Sequence, residues 1–227
     1  MNTASASAAP TLKIDFVSDV VCPWCAIGLA SLETAMARMG SAVQVNLHFQ
    51  PFELDPQQRA QGRSRFEILH QKYGLSLEQQ AVNIANIRQR ALDLGFPFKE
   101  GGPSMGWNTF AAHRLLHWAG LQGAEPQKAL KKALLGAYFT HDRNVSNVDV
   151  LVQAAAEAGL DAAEARQVVD SGAYAQETRE REQFYVRAGI SGVPAVIFND
   201  EHLVSGGQPP EVFERAIRQI AGLSGVA

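Results

Sequence analysis

Cysteine is scarce in this chain. Among 227 residues there are two, Cys22 and Cys25, and no third to build a disulfide framework or a tetrahedral thiolate site. A chain of this length buries a full apolar core without disulfide staples. A structural zinc site takes four ligands. His113 and His117 stand at i and i+4, but Arg114 occupies the place of the glutamate in the HExxH metalloprotease motif, so no metal site is expected. Charge of one sign is lacking too. The net charge is −3 with no block of like charges, which excludes the basic face that a phosphate backbone or an anionic membrane requires. The longest uncharged apolar stretch, Val20 to Leu32, falls short of the roughly 20 residues that span a bilayer and is broken by Pro23. Met1 to Thr11 holds no Lys or Arg and no apolar run of signal-peptide length. Its Ala/Ser/Pro composition reads as a disordered tail. The chain is therefore expected in the cytoplasm, with neither nucleic acid nor membrane as a partner.

The two cysteines are themselves the most informative feature. Cys22-Pro23-Trp24-Cys25 sets them one helical turn apart, between an apolar run ending near Val17 and the alanine- and methionine-rich stretch Ala26 to Met39, which predicts a helix. A thiolate at a helix N-terminus is stabilised by unpaired backbone N–H groups and by the positive end of the helix dipole. Cys22, at the outer lip, is expected to attack and Cys25, one turn inward, to resolve. The alternative is a pair of inert small core residues. In a reduced compartment a lone CxxC is more often catalytic than structural.

Leu12 to Val17 and Val43 to Phe49 alternate with period two, predicting two strands around the cysteine-bearing helix: a βαβ unit with parallel strands. After Pro56 the spacing turns helical for most of the chain. Ile84, Ile87, Ala91 and Leu94 share a helical face, as do Leu130, Leu134 and Ala137, and Val148, Leu151, Val152 and Ala155. Ser76 with Gln79 and Asp161 with Glu164 fit capping boxes, and Asn147 a simple N-cap. Strand character returns at Ala195 to Phe198, then a turn at Asn199-Asp200-Glu201, then His202 to Val204, which is a hairpin. Pro209 and Pro210 open a last amphipathic helix. The predicted fold is α/β, in the order βαβ, helical insert, ββα. The expected boundaries are a tail over 1–11, one unit formed by 12–61 with 190–227, and a helical insertion over 62–189.

This order, with CPWC after the first strand and Gly192-Val193-Pro194 before the hairpin, resembles the thioredoxin superfamily, specifically the DsbA-like proteins with an all-helical insertion. The FrnE-type branch is the nearer resemblance. It is carried by Ser18-Asp19-Val20-Val21 before the CPWC motif, Pro51-Phe52-Glu53-Leu54, Asn108-Thr109 with Ala112-His113-Arg114, and Gly192-Val193-Pro194-Ala195. The resemblance implies a cytosolic thiol–disulfide oxidoreductase needing no organic cofactor, with glutathione or another thiol system as redox partner and protein or small-molecule disulfides as substrates. It also implies that Pro194 is a cis proline beside the dithiol, so that Val193 presents its backbone to an extended substrate; a trans proline opening an edge strand is the alternative. A carboxylate near Cys25, from Asp15 or Asp19, is a common device of the superfamily. Related architectures suggest a second function, a glutathione-dependent isomerase or kappa-class-like transferase, although those relatives generally carry Ser at the place of Cys22. A third reading is a non-enzymatic, holdase-like client-binding module.

Further candidates lie around the dithiol. Pro23 and Trp24 are expected to remain accessible, Trp24 as an apolar platform for substrate, with simple packing as its alternative. Ala111, Ala112, Leu115, Leu116, Trp118 and Ala119 fill one arc of the helix after Asn108, leaving Phe110, His113, Arg114 and His117 on the other. That second arc is either a solvated face or the wall of a substrate cleft, with His113 touching substrate. The glycine-rich loop Gly95 to Trp107 either supplies the substrate groove, with Trp107 in it, or plugs the core. A homodimer is compatible with a compact enzyme, but no self-complementary patch argues for one.

Overall fold

A computed structural model describes residues 9–223, so most of the expected tail lies outside the described residues. The first strand, β1 (Thr11–Ser18), leads through four connecting residues, Asp19 to Cys22, into α1 (Pro23–Met39), and a 3₁₀ turn (Gly40–Ala42) returns the chain to β2 (Gln44–Pro51). β1 and β2 are parallel, in register from Thr11 opposite Gln44 to Ser18 opposite Pro51. The insert follows: β3 (Arg63–Ser64), α2 (Arg65–Tyr73), α3 (Leu77–Asp93), β4 (Met105–Gly106), α4 (Phe110–Gln122), α5 (Ala124–Phe139), α6 (Val148–Glu157), α7 (Ala162–Ser171) and α8 (Ala175–Arg187). β5 (Ala195–Phe198), β6 (His202–Ser205) and α9 (Pro210–Ile220) complete the chain.

The four-stranded sheet runs β2-β1-β5-β6, with β5 antiparallel to both β1 and β6. Val17 lies opposite Ala195. The chain leaving β1 toward the cysteines and the chain entering β5 through Pro194 therefore meet at one end of the sheet. α1 and α9 pack together, with Ile14, Phe16, Leu32, Phe213 and Ile217 fully buried among them. Val17, Tyr185, Ile190 and Ala195 form a second, smaller cluster with α8.

β2 is an edge strand, and an open edge invites pairing with another chain. Gln127 of α5 closes it: its side-chain carbonyl accepts from the Phe49 N–H at 2.9 Å, and its amide donates to the Phe49 carbonyl at 3.1 Å. The helical caps sit where the sequence places them, although Asp161 caps α7 without the reciprocal bond to the Glu164 side chain that a capping box needs. Ser76 and Gln79 form the reciprocal box at 3.2 and 2.9 Å, Asn147 accepts from the N–H groups of Asp149 and Val150, and Asp161 from those of Ala163 and Glu164. One expectation needs correcting. The insert is not all helical, because β3 and β4 pair as a two-residue antiparallel ladder, too short to leave a periodic signal.

Candidate active site

Cys22 is the N-cap of α1, extended at φ −89° and ψ 116°, and Pro23 occupies the first turn where its missing N–H costs nothing. The Cys22 carbonyl accepts from the N–H groups of Cys25 at 3.1 Å and Ala26 at 3.3 Å. Cys22 is 4% exposed and Cys25 wholly buried, and both are free thiols. Their acidities diverge. The Cys25 thiol hydrogen-bonds the Cys22 sulfur and lowers its pKa against the opposing effect of burial, helped by the N–H groups of Cys25 and Trp24. Burial, and then Cys22 itself, push Cys25 well above the ordinary thiol range. The outer sulfur is therefore the one that ionises more readily.

The Val193–Pro194 bond is cis, and the Cys22 thiol points at the Val193 carbonyl oxygen, 3.6 Å away. Two glycines let this loop close on α1. A Cβ on Gly28 would stand 3.1 Å from Pro194 Cγ, and one on Gly207 would stand 2.8 Å from the Trp24 carbonyl oxygen. Neither glycine carries a sequence signal beyond its identity.

Behind the cysteines lies a buried polar cluster. Asp19 is 1% exposed, and its carboxylate accepts from the Val20 N–H at 2.7 Å, the Leu54 N–H at 2.8 Å and His113 Nε2 at 3.2 Å. Burial raises its pKa, but the His113 bond and charge and the Leu54 N–H outweigh that and leave it below the usual carboxylate range. Asp15 is elsewhere, taken up by Gln50 at 2.5 Å and Lys13 at 3.1 Å. His113 is also not where the sequence reading put it. It is 3% exposed, behind Asp19, and does not line the cleft that holds Cys22. Nor is its arc of α4 solvated: Arg114 is buried and donates to the carbonyls of Val168, Val169 and Ala173 at the end of α7, between 2.8 and 3.0 Å.

The other motifs converge on the same place. Asn108 donates to the Gln58 carbonyl at 3.0 Å and accepts from the Phe110 N–H at 3.0 Å, fixing the start of α4. Glu53 is clamped by Arg179 of α8, whose guanidinium carbon also lies 3.6 Å from the Phe110 ring centroid. Lys131 of α5, fully buried, is a member of this region that sequence reasoning missed. Its signal is positional, since Gln127, Leu134, Leu135 and Tyr138 surround it at helical spacing and are all buried.

In front of Cys22 opens a cleft of about 890 Å³ shared by Pro23, Trp24, Trp107 and Val193 with residues of the insert. Arg63, Arg65 and Lys72 line it. Arg63 is paired with Asp55 at 3.3 Å, whereas Arg65 and Lys72 have no carboxylate partner among the described residues. Arg90 of α3 lies over Trp24, 5.5 Å from the ring centroid. The glycine-rich loop divides its labour: Phe98 stacks on Phe139 at 4.5 Å in the core, while Trp107 reaches the cleft. Gly62 makes room for that indole, since a Cβ there would stand 2.4 Å from the ring. Among the described residues no cluster of His, Cys, Asp or Glu is arranged to hold a metal.

The chain is similar in sequence and fold to known proteins. A probable DsbA oxidoreductase from Streptomyces coelicolor is similar at 34% identity and a TM-score of 0.84, over 95% of this chain and 92% of that one. The uncharacterized protein YwbO of Bacillus subtilis is 26% identical over 91% of this chain and 96% of its own. The cytosolic disulfide reductase DsbM of Pseudomonas aeruginosa, solved with GSH, shares the fold at 17% identity and a TM-score of 0.59, over 92% of this chain and 98% of that one. The model of the DSBA-like thioredoxin domain matches residues 13–218, and the chain belongs to that family.

Proposed function

We propose that this protein is a cytoplasmic thiol–disulfide oxidoreductase working through Cys22-Pro23-Trp24-Cys25, with glutathione or another small thiol as its redox partner. The observation that carries this reading is the asymmetry of the dithiol: one sulfur at the helix N-cap on a cleft wall, where its pKa is lowered, and a second sealed behind it, where burial raises its pKa. The Cys22 thiolate attacks a substrate disulfide, forming a mixed disulfide and releasing one substrate thiol. Cys25 then attacks Cys22, forming the Cys22–Cys25 bond and releasing the second. Oxidation of a client dithiol is the reverse.

The cleft favours an anionic substrate. Arg65 and Lys72 are cations without carboxylate partners, close enough to Cys22 to share its cavity, and glutathione brings carboxylates on either side of its sulfur. The cleft's volume of about 890 Å³ is in the range of small-molecule sites. The test is an equilibrium titration of the purified protein against glutathione redox buffers, with the Cys22–Cys25 bond read by thiol-trapping mass shift. The reading expects one reversible two-electron transition. Two thiols that titrate independently, with no intramolecular bond, would refute it.

A further inference from the structure

Lys131 is fully buried, and its Nζ has no hydrogen-bond partner among the described residues. An ammonium in that position, with three N–H groups and no acceptor, is among the costliest arrangements a fold can hold, whereas a neutral amine there is far less so. The helix leaves it no escape to solvent. Gln127 and Leu135 stand one turn to either side, and Leu134 and Tyr138 complete a buried stripe with Lys131 at its centre. The charged groups that act on it are, strongest first, Cys25, Asp19 and Cys22. From α4, His113 reaches this cluster through Asp19, and α6 turns Leu151, Ala154 and Ala155 toward the same core.

Asp19 is badly placed to take a proton from Cys25, because its two oxygens already receive three N–H donors. In the resting dithiol the Cys25 thiol has an acceptor in the Cys22 sulfur. Once Cys22 is joined to a substrate it carries no charge, and that acceptor is lost. Cys25 must nonetheless lose its proton to attack.

We propose that Lys131, held neutral and unpartnered inside the helical insert, takes the proton from Cys25 in the resolving step. This rests on the thiol–disulfide reading above and adds to it the acceptor of that proton. The proton passes from Cys25 Sγ to Lys131 Nζ, by rotation of the lysine side chain or across one water, giving a thiolate beside an ammonium. The thiolate forms the Cys25–Cys22 bond while the Cys22–substrate bond breaks, and the substrate leaves as a thiolate. The ammonium then gives up its proton as that thiolate is protonated, so the net transfer is from Cys25 to the released thiol. Because the proton moves within a pair, the core gains no net charge, and burial opposes the step less than it opposes ionising Cys25 alone. Burial raises Cys25 and lowers Lys131, which opposes the transfer; the attraction between thiolate and ammonium acts the other way on both groups and offsets it.

The test uses full-length protein and glutathione disulfide, with acid quench and thiol trapping to time two steps: formation of the Cys22–glutathione mixed disulfide, and its conversion to the Cys22–Cys25 bond. Lys131→Met should form the mixed disulfide at the wild-type rate and resolve it about a hundredfold more slowly at neutral pH. Its resolution should keep accelerating with pH where the wild type levels off. Lys131→Gln should behave alike, and carries the test should the methionine variant not fold. Equal resolution rates and pH profiles in variant and wild type would overturn the proposal while leaving the redox reading intact. A wild type that never forms the Cys22–Cys25 bond would overturn both.

Discussion

Gly207 lies so close to Trp24 that a Cβ on it would stand 2.8 Å from the Trp24 carbonyl oxygen. This approach joins the segment after β6 to the first turn of α1, at the level where the cis Val193–Pro194 bond faces Cys22. The contact is with backbone, so no side-chain rotation relieves an added methyl. The position of the proline loop over the dithiol therefore depends on a residue with no functional group.

Gly207→Ala is expected to destabilise the protein by about 1–3 kcal/mol through overpacking and to slow mixed-disulfide formation by moving the loop away from Cys22. Denaturant unfolding and a glutathione-disulfide rate assay check the two effects. Wild-type stability with wild-type kinetics would show that the contact is slack.

The Asp19–His113 pair makes a prediction on the acid side. Asp19 titrates lower in the folded protein than in the unfolded chain, so its contribution to stability is complete above the ordinary carboxylate value of about 3.9. It is lost as the pH falls through the lowered folded value. His113→Ala removes the main lowering influence and leaves burial, which raises the carboxyl. Acid unfolding should then begin at higher pH, and stability at neutral pH should fall by about 3 kcal/mol, the lower end for breaking a buried pair, because two backbone donors remain. Acid melts followed by circular dichroism read both.

The acidity of the two thiols separates them in a labelling experiment. Iodoacetamide should modify Cys22 with a pH midpoint below the ordinary thiol value of about 8.5, because Cys25 and the helix N–H groups favour its thiolate. Cys25 should resist until well above that value. Peptide mass mapping across pH assigns each midpoint, and equal midpoints would contradict the divided roles.

Arg65 and Lys72 test the anionic cleft. Replacing both by alanine should raise KM for glutathione disulfide roughly two- to fivefold each at low salt, the scale of about 0.5–1 kcal/mol for partly solvated charges, with little change in kcat. The difference should shrink as added salt screens the wild type. An unchanged KM would remove the anionic substrate from the account.

Much of this was legible in the residues. The βαβ unit, the hairpin and the caps at Ser76, Asn147 and Asp161 follow from period-two alternation and from side-chain oxygens at the right offsets. The inner half of the site was harder to read. His113 and Arg114 sit on an arc that looks solvated, but α4 is covered on both sides, so its polar arc is buried against Asp19 and the end of α7. α8 is mostly polar and shows no apolar stripe; it is held by Tyr185 and by the clamp of Arg179 on Glu53 and Glu182. Lys131 sits between Lys128 and Lys132, and three lysines in one helix read as surface. Its place among Gln127, Leu134, Leu135 and Tyr138 is the clue, because a charge inside a buried stripe either escapes to solvent or serves the core.

The most direct measurement is mass spectrometry of Cys25→Ser and Cys22→Ser after exposure to glutathione disulfide under native conditions. The account predicts that Cys25→Ser accumulates a single glutathione, mapped to Cys22 and released only by added thiol, and that Cys22→Ser takes up none because Cys25 is sealed and protonated. Glutathione captured by Cys25 in the folded Cys22→Ser protein would contradict it.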